Sequence, residues 1–550
     1  MLTRQEIFGY EPDPQYSKSV AYFSMEFAID QALKIYSGGL GFLAGSHLRS
    51  AYQLKQNLIG VGILWKYGYY DQDWDLNAHM KANYVEKNYS FLIDTGIVFS
   101  VEVHNSPVHV KAYLLKPEVF GTAPLFLLST DIPENDDLSK SITQRLYFSN
   151  ESTRIAQSII LGTAGAKLLD IINLTPDIYH MNEGHSVSLN FYLYAKFQNI
   201  YEIKKRVIFT THTPETAGNE EHSYTKLKEM SFFYHLQDHE VKHYLNMQGD
   251  NFNYTLAALK FAKKANAVSA MHGEVARDMW KSNQNISEIT SITNAQNKLF
   301  WADKKLDLAL NNNNDEAITL RKKELKKLLF KEVADQTGKL FDENVLTLVW
   351  ARRFAGYKRA NLIMHHWDRF LHLVNNSNLP IQIIWAGKPY PEDYNAIGIF
   401  NHIINRVKMI KNCAVLTGHE LELSALLKKG SDVWLNNPRL YREASGTSGM
   451  TAAMNGSVNL SIPDGWIPEF ARDKENCFLI QPADIHLSPD EKDKQEALRL
   501  IDTLEKDILP TYYHNPAKWI SVLKQASKDV ESGFESGRMV KEYYEKMYNS

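Results

Sequence analysis

Short apolar runs rich in β-branched residues recur along this chain, and each is followed by a stretch with the apolar spacing of a helix. The runs lie at residues 20–27, 207–211, 345–350, 381–386, 433–435, 458–462 and 477–480. Amphipathic stretches include 360–373 and 421–429. Strands that alternate with helices form βαβ units around a parallel sheet. The sequence therefore predicts an α/β fold, whose ligands bind beyond the carboxyl ends of the strands.

The length of 550 residues predicts two lobes, because a single hydrophobic core does not grow to this size. A polar interval starts with the asparagine run 311–314. The Lys/Arg-rich segment 321–331 that follows predicts a solvated helix with Leu325, Leu328 and Leu329 on one face. We set the lobe boundary near residue 290. The predicted lobes are 1–290 and 291–515, and helices in 516–550 are expected to pack back on the N-terminal lobe.

Composition and charge exclude several classes of protein. The 61 basic and 64 acidic residues give a net charge of −3, without the basic excess that nucleic-acid binding requires. No run of about 18 apolar residues predicts a membrane span, and residues 1–10 do not resemble a signal peptide. Cys413 and Cys477 are the only cysteines, which excludes a disulfide scaffold and an all-cysteine metal site. We expect a cytoplasmic protein that binds no metal, nucleic acid or membrane.

A glycine-rich segment precedes the helical pattern at 44–55. Its residues Gly38, Gly39, Leu40 and Gly41 leave room for backbone amides to approach an anion at the start of a helix. Taken alone, the segment is more typical of an ordinary glycine-rich turn.

Two histidines lie among polar residues near the ends of predicted strands. His185 follows Asn182 and Glu183, and His212 follows the strand at 207–211. A histidine in such a place is either a structural hydrogen-bonding group or a partner for the hydroxyls of a sugar-like ligand. The sequence leaves both interpretations open.

Cations directly follow the strand at 345–350. Arg353 and Lys358 are five residues apart and can converge on one anion, for which arginine offers a planar fork and lysine a point charge. A phosphate or diphosphate is the natural partner. The alternative, a surface basic cluster, is less favoured because residues that follow a buried strand face the ligand crevice.

Glu443 opens a run of small residues that leads into a helical pattern from Thr451. Backbone amides of Ser445, Gly446 and Thr447 can bind hydroxyls or phosphate at such a helix start. The alternative is a capped helix start, which accounts for the small residues but not for the glutamate.

Taken together, these segments resemble the glycogen, starch and α-glucan phosphorylases, especially their short bacterial members. The resemblance extends from about residue 22 to residue 469. Its ordered pieces are Tyr22-Phe23-Ser24-Met25-Glu26-Phe27, Tyr36-Ser37-Gly38-Gly39-Leu40-Gly41, Asn182 to His185, Thr211 to Pro214, Ala267-Val268-Ser269, His272-Gly273-Glu274, Arg353, Tyr357-Lys358, Trp434-Leu435-Asn436-Asn437-Pro438 and Glu443 to Met450.

The resemblance implies a GT-B fold, in which two Rossmann-like lobes enclose the active-site cleft, and retaining α-1,4-glucosyl transfer. It implies that the substrate phosphate is bound by Arg353 and Lys358 and is faced by the amides of residues 38–41. His185 and Asn294 would hold the transferred glucose. Glu443 and the amides of residues 445–447 would hold its other hydroxyls, and Asn182 and His212 would complete the substrate site.

Two departures from the family concern its cofactor, pyridoxal phosphate. The family's Schiff-base lysine corresponds to Thr451, which cannot form an imine, so the covalent anchor is absent at this position. Glu420 lies where related enzymes hold the cofactor phosphate, and its charge would repel that group. The resemblance implies the cofactor, and the residues argue against its usual attachment.

Three functions remain open from the sequence. The first is an α-glucan phosphorylase, which converts a glucan and phosphate into glucose 1-phosphate. The second is a glucan synthase that uses ADP-glucose or UDP-glucose and needs no pyridoxal phosphate. The third is an inactive glucan-binding relative, which would not need the cations at 353 and 358. The partners are an α-glucan or maltooligosaccharide with phosphate, glucose 1-phosphate or a nucleotide-sugar; a homo-oligomer is left open.

Overall fold

Two separate sheets, one mostly and one entirely parallel, organise the chain in the computed structural model, which describes residues 3–247 and 249–550. The strands of these sheets and of two small two-stranded sheets are β1 (Val20–Phe23), β2 (Leu58–Ile63), β3 (Asp71–Trp74), β4 (Met80–Asn83), β5 (Ile93–Val103), β6 (Ser106–Leu115), β7 (Leu125–Ser129), β8 (Ile178–Asn182), β9 (Val207–Thr210), β10 (Glu221–Ser223), β11 (Asn251–Asn253), β12 (Lys264–Ala267), β13 (Ile289–Ser291), β14 (Leu346–Ala351), β15 (Ile381–Ala386), β16 (Cys413–Leu416), β17 (Val433–Asn436), β18 (Val458–Ser461) and β19 (Cys477–Leu479).

Helices follow most of the parallel strands, as the alternating sequence pattern predicts. They are α1 (Arg4–Phe8), α2 (Gly39–Gln53), α3 (Pro117–Phe120), α4 (Asp137–Ser141), α5 (Glu151–Ile159), α6 (Gly165–Ile171), α7 (Leu189–Phe197), α8 (Ile200–Lys204), α9 (Tyr224–Glu229), α10 (Asp238–Leu245), α11 (Tyr254–Phe261), α12 (Ala270–Trp280), α13 (Lys298–Trp301), α14 (Lys304–Asn311), α15 (Asp315–Thr337), α16 (Trp367–Val374), α17 (Tyr394–Val407), α18 (Leu421–Gly430), α19 (Ser448–Ala453), α20 (Ile467–Phe470), α21 (Pro489–Thr503), α22 (Leu509–His514), α23 (Pro516–Phe534) and α24 (Ser536–Tyr543).

Both sheets reverse their strand order in the manner of a Rossmann fold. The first sheet has the order β13-β12-β9-β8-β1-β2-β7-β6-β5, and only its last two pairings are antiparallel. The second sheet is entirely parallel, with the order β16-β15-β14-β17-β18-β19. The reversal falls between β1 and β8 in the first sheet and between β14 and β17 in the second, and ligands of open α/β sheets bind at such points.

Burial explains why the sequence shows these strands as continuous apolar runs. Every residue of β14 and β15 is buried, as expected for strands that are covered by helices on both faces. All seven predicted strands are present, as β1, β9, β14, β15, β17, β18 and β19. The predicted α/β class with two Rossmann-like lobes is confirmed, while the predicted cleft between the lobes stays a prediction.

The chain divides into two compact units. Unit 1 consists of the chain up to Tyr70, residues Tyr84–Asn294 and residues Ser536–Ser550. Unit 2 consists of Asp71–Asn83 and Ala295–Glu535. The hairpin β3–β4 thus belongs to unit 2, where the Trp74 ring lies 5.9 Å from that of Phe400.

The placement predicted for residues 516–550 on the N-terminal lobe is wrong for α23. This helix lies in unit 2, because its buried residues Trp519, Val522 and Leu523 are part of that unit's hydrophobic core. Residues 536–550 do pack in unit 1, where the Tyr548 hydroxyl lies 2.7 Å from His180 Nδ1.

The solvated helix predicted at 321–331 is present within α15, but two of its lysines are buried. Lys322 Nζ donates to the carbonyls of Lys429, Ser431 and Asn455 at 2.8, 2.8 and 3.0 Å. Lys326 forms an ion pair with Asp432 at 2.5 Å. Charge spacing alone does not reveal such partners, because they come from distant segments. No helix in the described part of the chain is long and apolar enough to cross a membrane.

Candidate active site

The strand ends at the reversal point of unit 1 bring two of the predicted site residues together. Asn182 is the last residue of β8, and its Oδ1 lies 2.7 Å from Nε2 of His212, which follows β9. Asn182 also donates to the Ser24 hydroxyl at 3.1 Å. This network fixes both side chains at the carboxyl edge of the sheet, where a ligand is expected.

Glu183 is a further polar residue at this edge, and it was not among the predicted site residues. Its φ of 73° lies in the left-handed region, which costs free energy for a residue with a side chain and is common at functional sites. Its carboxylate accepts from the His212 amide at 2.7 Å. Burial raises the pKa of Glu183 to about 7 against these hydrogen bonds. The group therefore titrates in the range useful for acid–base chemistry.

His185 lines a small pocket in unit 1. The other lining residues are Met25, Tyr147, Arg154, Gln157, Ser158 and Glu220. His185 Nδ1 is buried and has no hydrogen-bond partner among the described residues. The Oδ1 atom of Asn294 is likewise buried without a hydrogen-bond partner among the described residues. Buried polar atoms without partners indicate places where a ligand or water completes the hydrogen bonds.

The Gly38 amide, which was predicted to face a phosphate, has a partner within the chain. This amide donates to Glu26 Oε2 at 3.0 Å, and the preceding Ser37 amide donates to the same oxygen at 2.6 Å. The Tyr147 hydroxyl donates to the other carboxylate oxygen at 2.7 Å. A carboxylate of the chain thus takes the donor that the glycine-rich segment was predicted to offer. Gly39, Leu40 and Gly41 form the first turn of α2, and their predicted role stays a prediction.

The reversal point of unit 2 carries a cluster of buried charges. Lys358 Nζ lies 2.9 and 2.7 Å from the two carboxylate oxygens of Glu443. Arg352 Nη1 lies 3.3 Å from the same carboxylate, and Arg352 Nη2 donates to the Ser448 hydroxyl at 3.3 Å. Burial raises the pKa of Glu443, but the charges of Lys358 and Arg352 outweigh it, so that the net shift is downward. Glu443 is therefore an anion at neutral pH.

The two arginines after β14 have different environments. Arg352 is 7% exposed and contacts Glu443, whereas the predicted residue, Arg353, is exposed. Arg353 still contributes to lowering the pKa of Glu443, so it lies within electrostatic reach of the cluster. The sequence did not single out Arg352. The paired arginines after a strand were the available signal, since neighbouring residues in extended backbone point to opposite sides.

The segment after Glu443 is held by Asp464. Both the Arg442 and the Glu443 amides donate to Asp464 Oδ2 at 3.0 Å. Gly446 has a φ of +82°, which lets the chain turn back before α19, with Thr447 at the N-cap position. The Ser445 hydroxyl is buried and has no partner within the described chain. These features keep a turn with an available hydroxyl next to the charge cluster.

The residues near Thr451 fit pyridoxal phosphate, the cofactor that the family resemblance implies, only in part. A phosphate group suits the Arg352–Ser448 pair, because Arg352 Nε is buried without a partner among residues 3–247 and 249–550. Glu420 forms an ion pair with Lys388 at 2.8 Å, which compensates the charge that was expected to repel a phosphate. The fit fails only at Thr451, whose hydroxyl donates to the Ser448 carbonyl at 3.0 Å and which offers no amine.

Two sequence families match parts of the chain. Residues 246–481 match the carbohydrate phosphorylase family. Residues 34–283 match the catalytic domain of starch synthase. The first match includes the charge cluster of unit 2, and the second includes the polar strand ends of unit 1.

Similar proteins extend over nearly the whole chain. An uncharacterized protein of Methanocaldococcus jannaschii is 45% identical over 96% of this chain and 100% of its own length. A maltodextrin phosphorylase of Thermococcus litoralis is 32% identical over 98% of this chain and 71% of its own. A glycogen phosphorylase of Aquifex aeolicus is 30% identical over 97% of this chain and 86% of its own length. Together with the motifs, these similarities mean that the chain belongs to the α-glucan phosphorylase family.

Proposed function

We propose that this protein is a retaining α-1,4-glucan phosphorylase, which transfers the terminal glucosyl group of a glucan to phosphate and releases glucose 1-phosphate. The single observation that carries the proposal is the charge cluster at the reversal point of unit 2. Three cations, Arg352, Arg353 and Lys358, lie within electrostatic reach of one carboxylate, Glu443. The positive excess suits a dianionic substrate such as phosphate.

The residues of the cluster have separate tasks in this reaction. Arg353 is exposed and meets dissolved phosphate first, and Lys358 adds a second charge-assisted hydrogen bond to it. Glu443 holds the Lys358 ammonium in place through two short hydrogen bonds. Hydrogen-bond donors that are already positioned where negative charge develops are usually the largest contribution to stabilising a transition state. Removing one such donor costs about 3 kcal/mol of activation free energy.

Unit 1 carries groups that suit the hydroxyls of a sugar. The linked pair Asn182–His212 and the open Nδ1 of His185 offer both donors and acceptors. Glu183, which titrates near neutral pH, is suited to hold or release a proton at its carboxylate. Pyridoxal phosphate, when bound, supplies a phosphate group that exchanges a proton with the substrate phosphate, and Arg352 and Ser448 are the residues that would hold it.

A nucleotide-sugar glucosyltransferase is the second candidate. The match of residues 34–283 to the starch synthase catalytic domain favours it, as does the threonine at the family's lysine position. In this reaction the diphosphate of ADP-glucose or UDP-glucose would use Arg353 and Lys358. Both candidates retain the configuration at C1, so stereochemistry does not distinguish them.

Donor choice tests the proposal directly. The protein is assayed with a maltooligosaccharide acceptor and pyridoxal phosphate, with glucose 1-phosphate in one reaction and ADP-glucose or UDP-glucose in the others. We expect chain extension and phosphate release with glucose 1-phosphate. Turnover of a nucleotide-sugar without any turnover of glucose 1-phosphate would reject the phosphorylase in favour of the synthase.

The proposed phosphate-binding role of Arg353 is tested by Arg353→Ala, which should lower kcat/KM about 100-fold, corresponding to about 3 kcal/mol for a lost donor. Arg442→Ala is a matched control, because Arg442 is also an exposed arginine of unit 2 but has no proposed role. Activity of Arg353→Ala near that of the control would contradict the assignment.

A further inference from the structure

Gln72 is a buried polar residue to which the reaction described above assigns no part. It lies on β3 and is 9% exposed. Its Nε2 donates to the carbonyl of Gly387 at 2.9 Å, and its Oε1 accepts from the amide of Gly418 at 3.2 Å. Gly387 directly follows β15 and Gly418 follows β16, so one side-chain amide bridges the carboxyl ends of two neighbouring strands.

Hairpin β3–β4 is held in this place by contacts with α17. The Trp74 ring of β3 lies 5.9 Å from the ring of Phe400, and the Met80 amide of β4 donates to Asn401 Oδ1 at 3.0 Å. All of these residues belong to unit 2. Contacts from both strands of the hairpin thus fix the Gln72 amide at the carboxyl edge of the second sheet.

The Gln72 bridge lies beside the charge cluster of unit 2. In the sheet order β16-β15-β14-β17 the cluster is at β14 and β17, because Arg352 follows β14 and Glu443 follows β17. Neighbouring strands are about 4.8 Å apart, so the bridge begins one strand away from the cluster. The segments after β14 and β15 also touch, since a Cβ added to Gly387 would lie 1.9 Å from the Arg352 carbonyl oxygen.

The opposite side of the cluster is closed by the segment after β18. The Trp466 amide donates to the Ser445 carbonyl at 3.0 Å, and a Cβ added to Gly465 would lie 2.2 Å from the same oxygen. Asp464 accepts from the Glu443 amide at 3.0 Å. Nucleotides lie along the carboxyl edge of such sheets. The nucleoside of a nucleotide-sugar whose diphosphate occupied the cluster would therefore extend toward β15 and β16.

The groups that Gln72 occupies are the ones that a nucleobase would need there. A carboxamide presents an N–H donor next to an oxygen acceptor. Adenine presents the same pair on one edge, with its N6 amino group as the donor and N7 as the acceptor. The Gly387 carbonyl and the Gly418 amide are a matching acceptor and donor, and the buried Gln72 side chain already takes the space in front of both.

We propose that Gln72 is a specificity-determining residue: it occupies the place of a nucleobase at the ends of β15 and β16 and so excludes nucleotide-sugars from the charge cluster. The donor that this site accepts is then a sugar phosphate without a nucleotide. The inference rests on the proposed function, because it takes the charge cluster as the seat of the substrate phosphate. A nucleotide-dependent glucosyltransferase would instead need the Gly387 carbonyl and the Gly418 amide free to bind its base.

Titration calorimetry of the full-length protein with pyrophosphate and with ADP tests the inference without using activity. In the wild type, ADP should bind no more tightly than pyrophosphate, because its base finds no free partner. Gln72→Ala frees both backbone groups and should raise the ADP affinity about tenfold, which is the effect of two hydrogen bonds, without a matching gain for pyrophosphate. Asn77→Ala is the control, since Asn77 is an exposed residue between the two strands of the same hairpin.

ADP binding to the wild type about tenfold tighter than pyrophosphate would overturn the inference, and so would equal ADP affinities of Gln72→Ala and Asn77→Ala. If Gln72→Ala does not fold, the wild-type comparison still decides. If neither ligand binds the wild type, the cluster is not an anion site and the inference is wrong.

A glucose 1-phosphate assay on the same protein separates the two proposals. Absence of turnover, with ADP bound no more tightly than pyrophosphate, would reject the phosphorylase function alone. Turnover of glucose 1-phosphate together with tight ADP binding would reject the role of Gln72 alone.

Discussion

Replacing Lys358 by methionine should destabilise unit 2, because Glu443 would lose its main partner. Lys358 makes two hydrogen bonds of 2.9 and 2.7 Å to this carboxylate, while Arg352 makes one of 3.3 Å. The Lys358 and Glu443 side chains are only 11% and 9% exposed. Breaking a buried ion pair by removing one partner costs about 3–5 kcal/mol. Since Arg352 remains, we expect a loss of about 3 kcal/mol.

A double-mutant cycle isolates the interaction. Glu443→Gln should cost a similar amount, because it leaves Lys358 and Arg352 facing each other without a compensating charge. The double variant should lose less than the sum of the two single losses, by about 1–3 kcal/mol. Urea unfolding followed by tryptophan fluorescence is the measurement, since Trp350, Trp385 and Trp434 are buried in unit 2.

The pH dependence provides a second check on the same pair. The folded-state pKa of Glu443 is depressed below the ordinary value of 4.5. When the folded-state pKa of an acid is depressed, its stabilising contribution is fully present above the unfolded-state pKa and is lost as the pH falls through the folded-state pKa. The difference between wild type and Lys358→Met should therefore be full only above the folded-state pKa of Glu443 in the variant, where burial without Lys358 raises it, and should shrink as the pH falls toward the depressed pKa in the wild type.

The exposed neighbour Arg353 provides the control. Arg353→Met should change the free energy of unfolding by less than about 0.5 kcal/mol, as is usual for surface positions. A Lys358→Met variant as stable as this control, together with an additive double variant, would refute the reasoning. It would mean that the ion pair contributes no more than its desolvation costs.

Two further predictions concern unit 1. Gly41→Ala should lower the melting temperature, because its new Cβ would lie 2.7 Å from Glu26 Oε2 and 2.8 Å from Tyr36 Cβ, an overpacking that costs about 1–3 kcal/mol. The control is Gly39→Ala, whose Cβ would meet none of the described residues within 4 Å, and which should be neutral or slightly stabilising. Equal melting temperatures of the two variants would contradict this reasoning. Because the pKa of Glu183 is raised to about 7 in the folded state, its stabilising contribution is present below pH 4.5 and is lost as the pH rises through 7. Between pH 5 and 8 the free energy of unfolding of the wild type should therefore fall by up to about 3 kcal/mol from this group, and Glu183→Gln should abolish that fall. Urea unfolding of both proteins at the two pH values measures it, and the same pH dependence in wild type and variant would count against the pKa shift.

The strands could be predicted from the sequence because burial on both faces leaves a continuous apolar run. The assignment of segments to the two units could not be predicted from the sequence. Hairpin β3–β4 belongs to unit 2 although it interrupts unit 1 in the sequence, and α23 packs on the core of unit 2 although 536–550 returns to unit 1. Both placements depend on which core accepts an apolar side chain, such as Trp74 against Phe400. Periodicity shows that a face is apolar but not what covers it.

The site was predicted at the level of segments rather than of individual contacts. The strand-end position of Lys358 and the unusual glutamate at 443 indicated an anion site, and the structure brings these two residues together. Hydrogen-bond partners across the sheet are not encoded in local spacing. The sequence therefore chose Arg353 over Arg352, and it did not show that Glu26 accepts the Gly38 amide.

In both units a carboxylate of the chain occupies donors that the sequence reserved for a substrate phosphate. Glu26 accepts the Ser37 and Gly38 amides, and Glu443 accepts both hydrogen bonds of Lys358. The physical reason is that a buried donor without a partner costs about 1–3 kcal/mol, so the fold satisfies it internally. Phosphate binding at Lys358 is then partly an exchange of one anion for another.

This exchange leads to a prediction that separates binding from turnover. Glu443→Gln removes the competing charge next to Lys358 and Arg352, so inorganic phosphate should bind more tightly, by about tenfold for 1.4 kcal/mol of relieved repulsion. Turnover should fall at the same time, because the Lys358 ammonium loses the partner that orients it. Titration calorimetry with phosphate measures the first effect and kcat the second. Weaker phosphate binding in the variant would show that Glu443 acts by positioning Lys358 for the anion, and that the competition argued here is not the dominant effect.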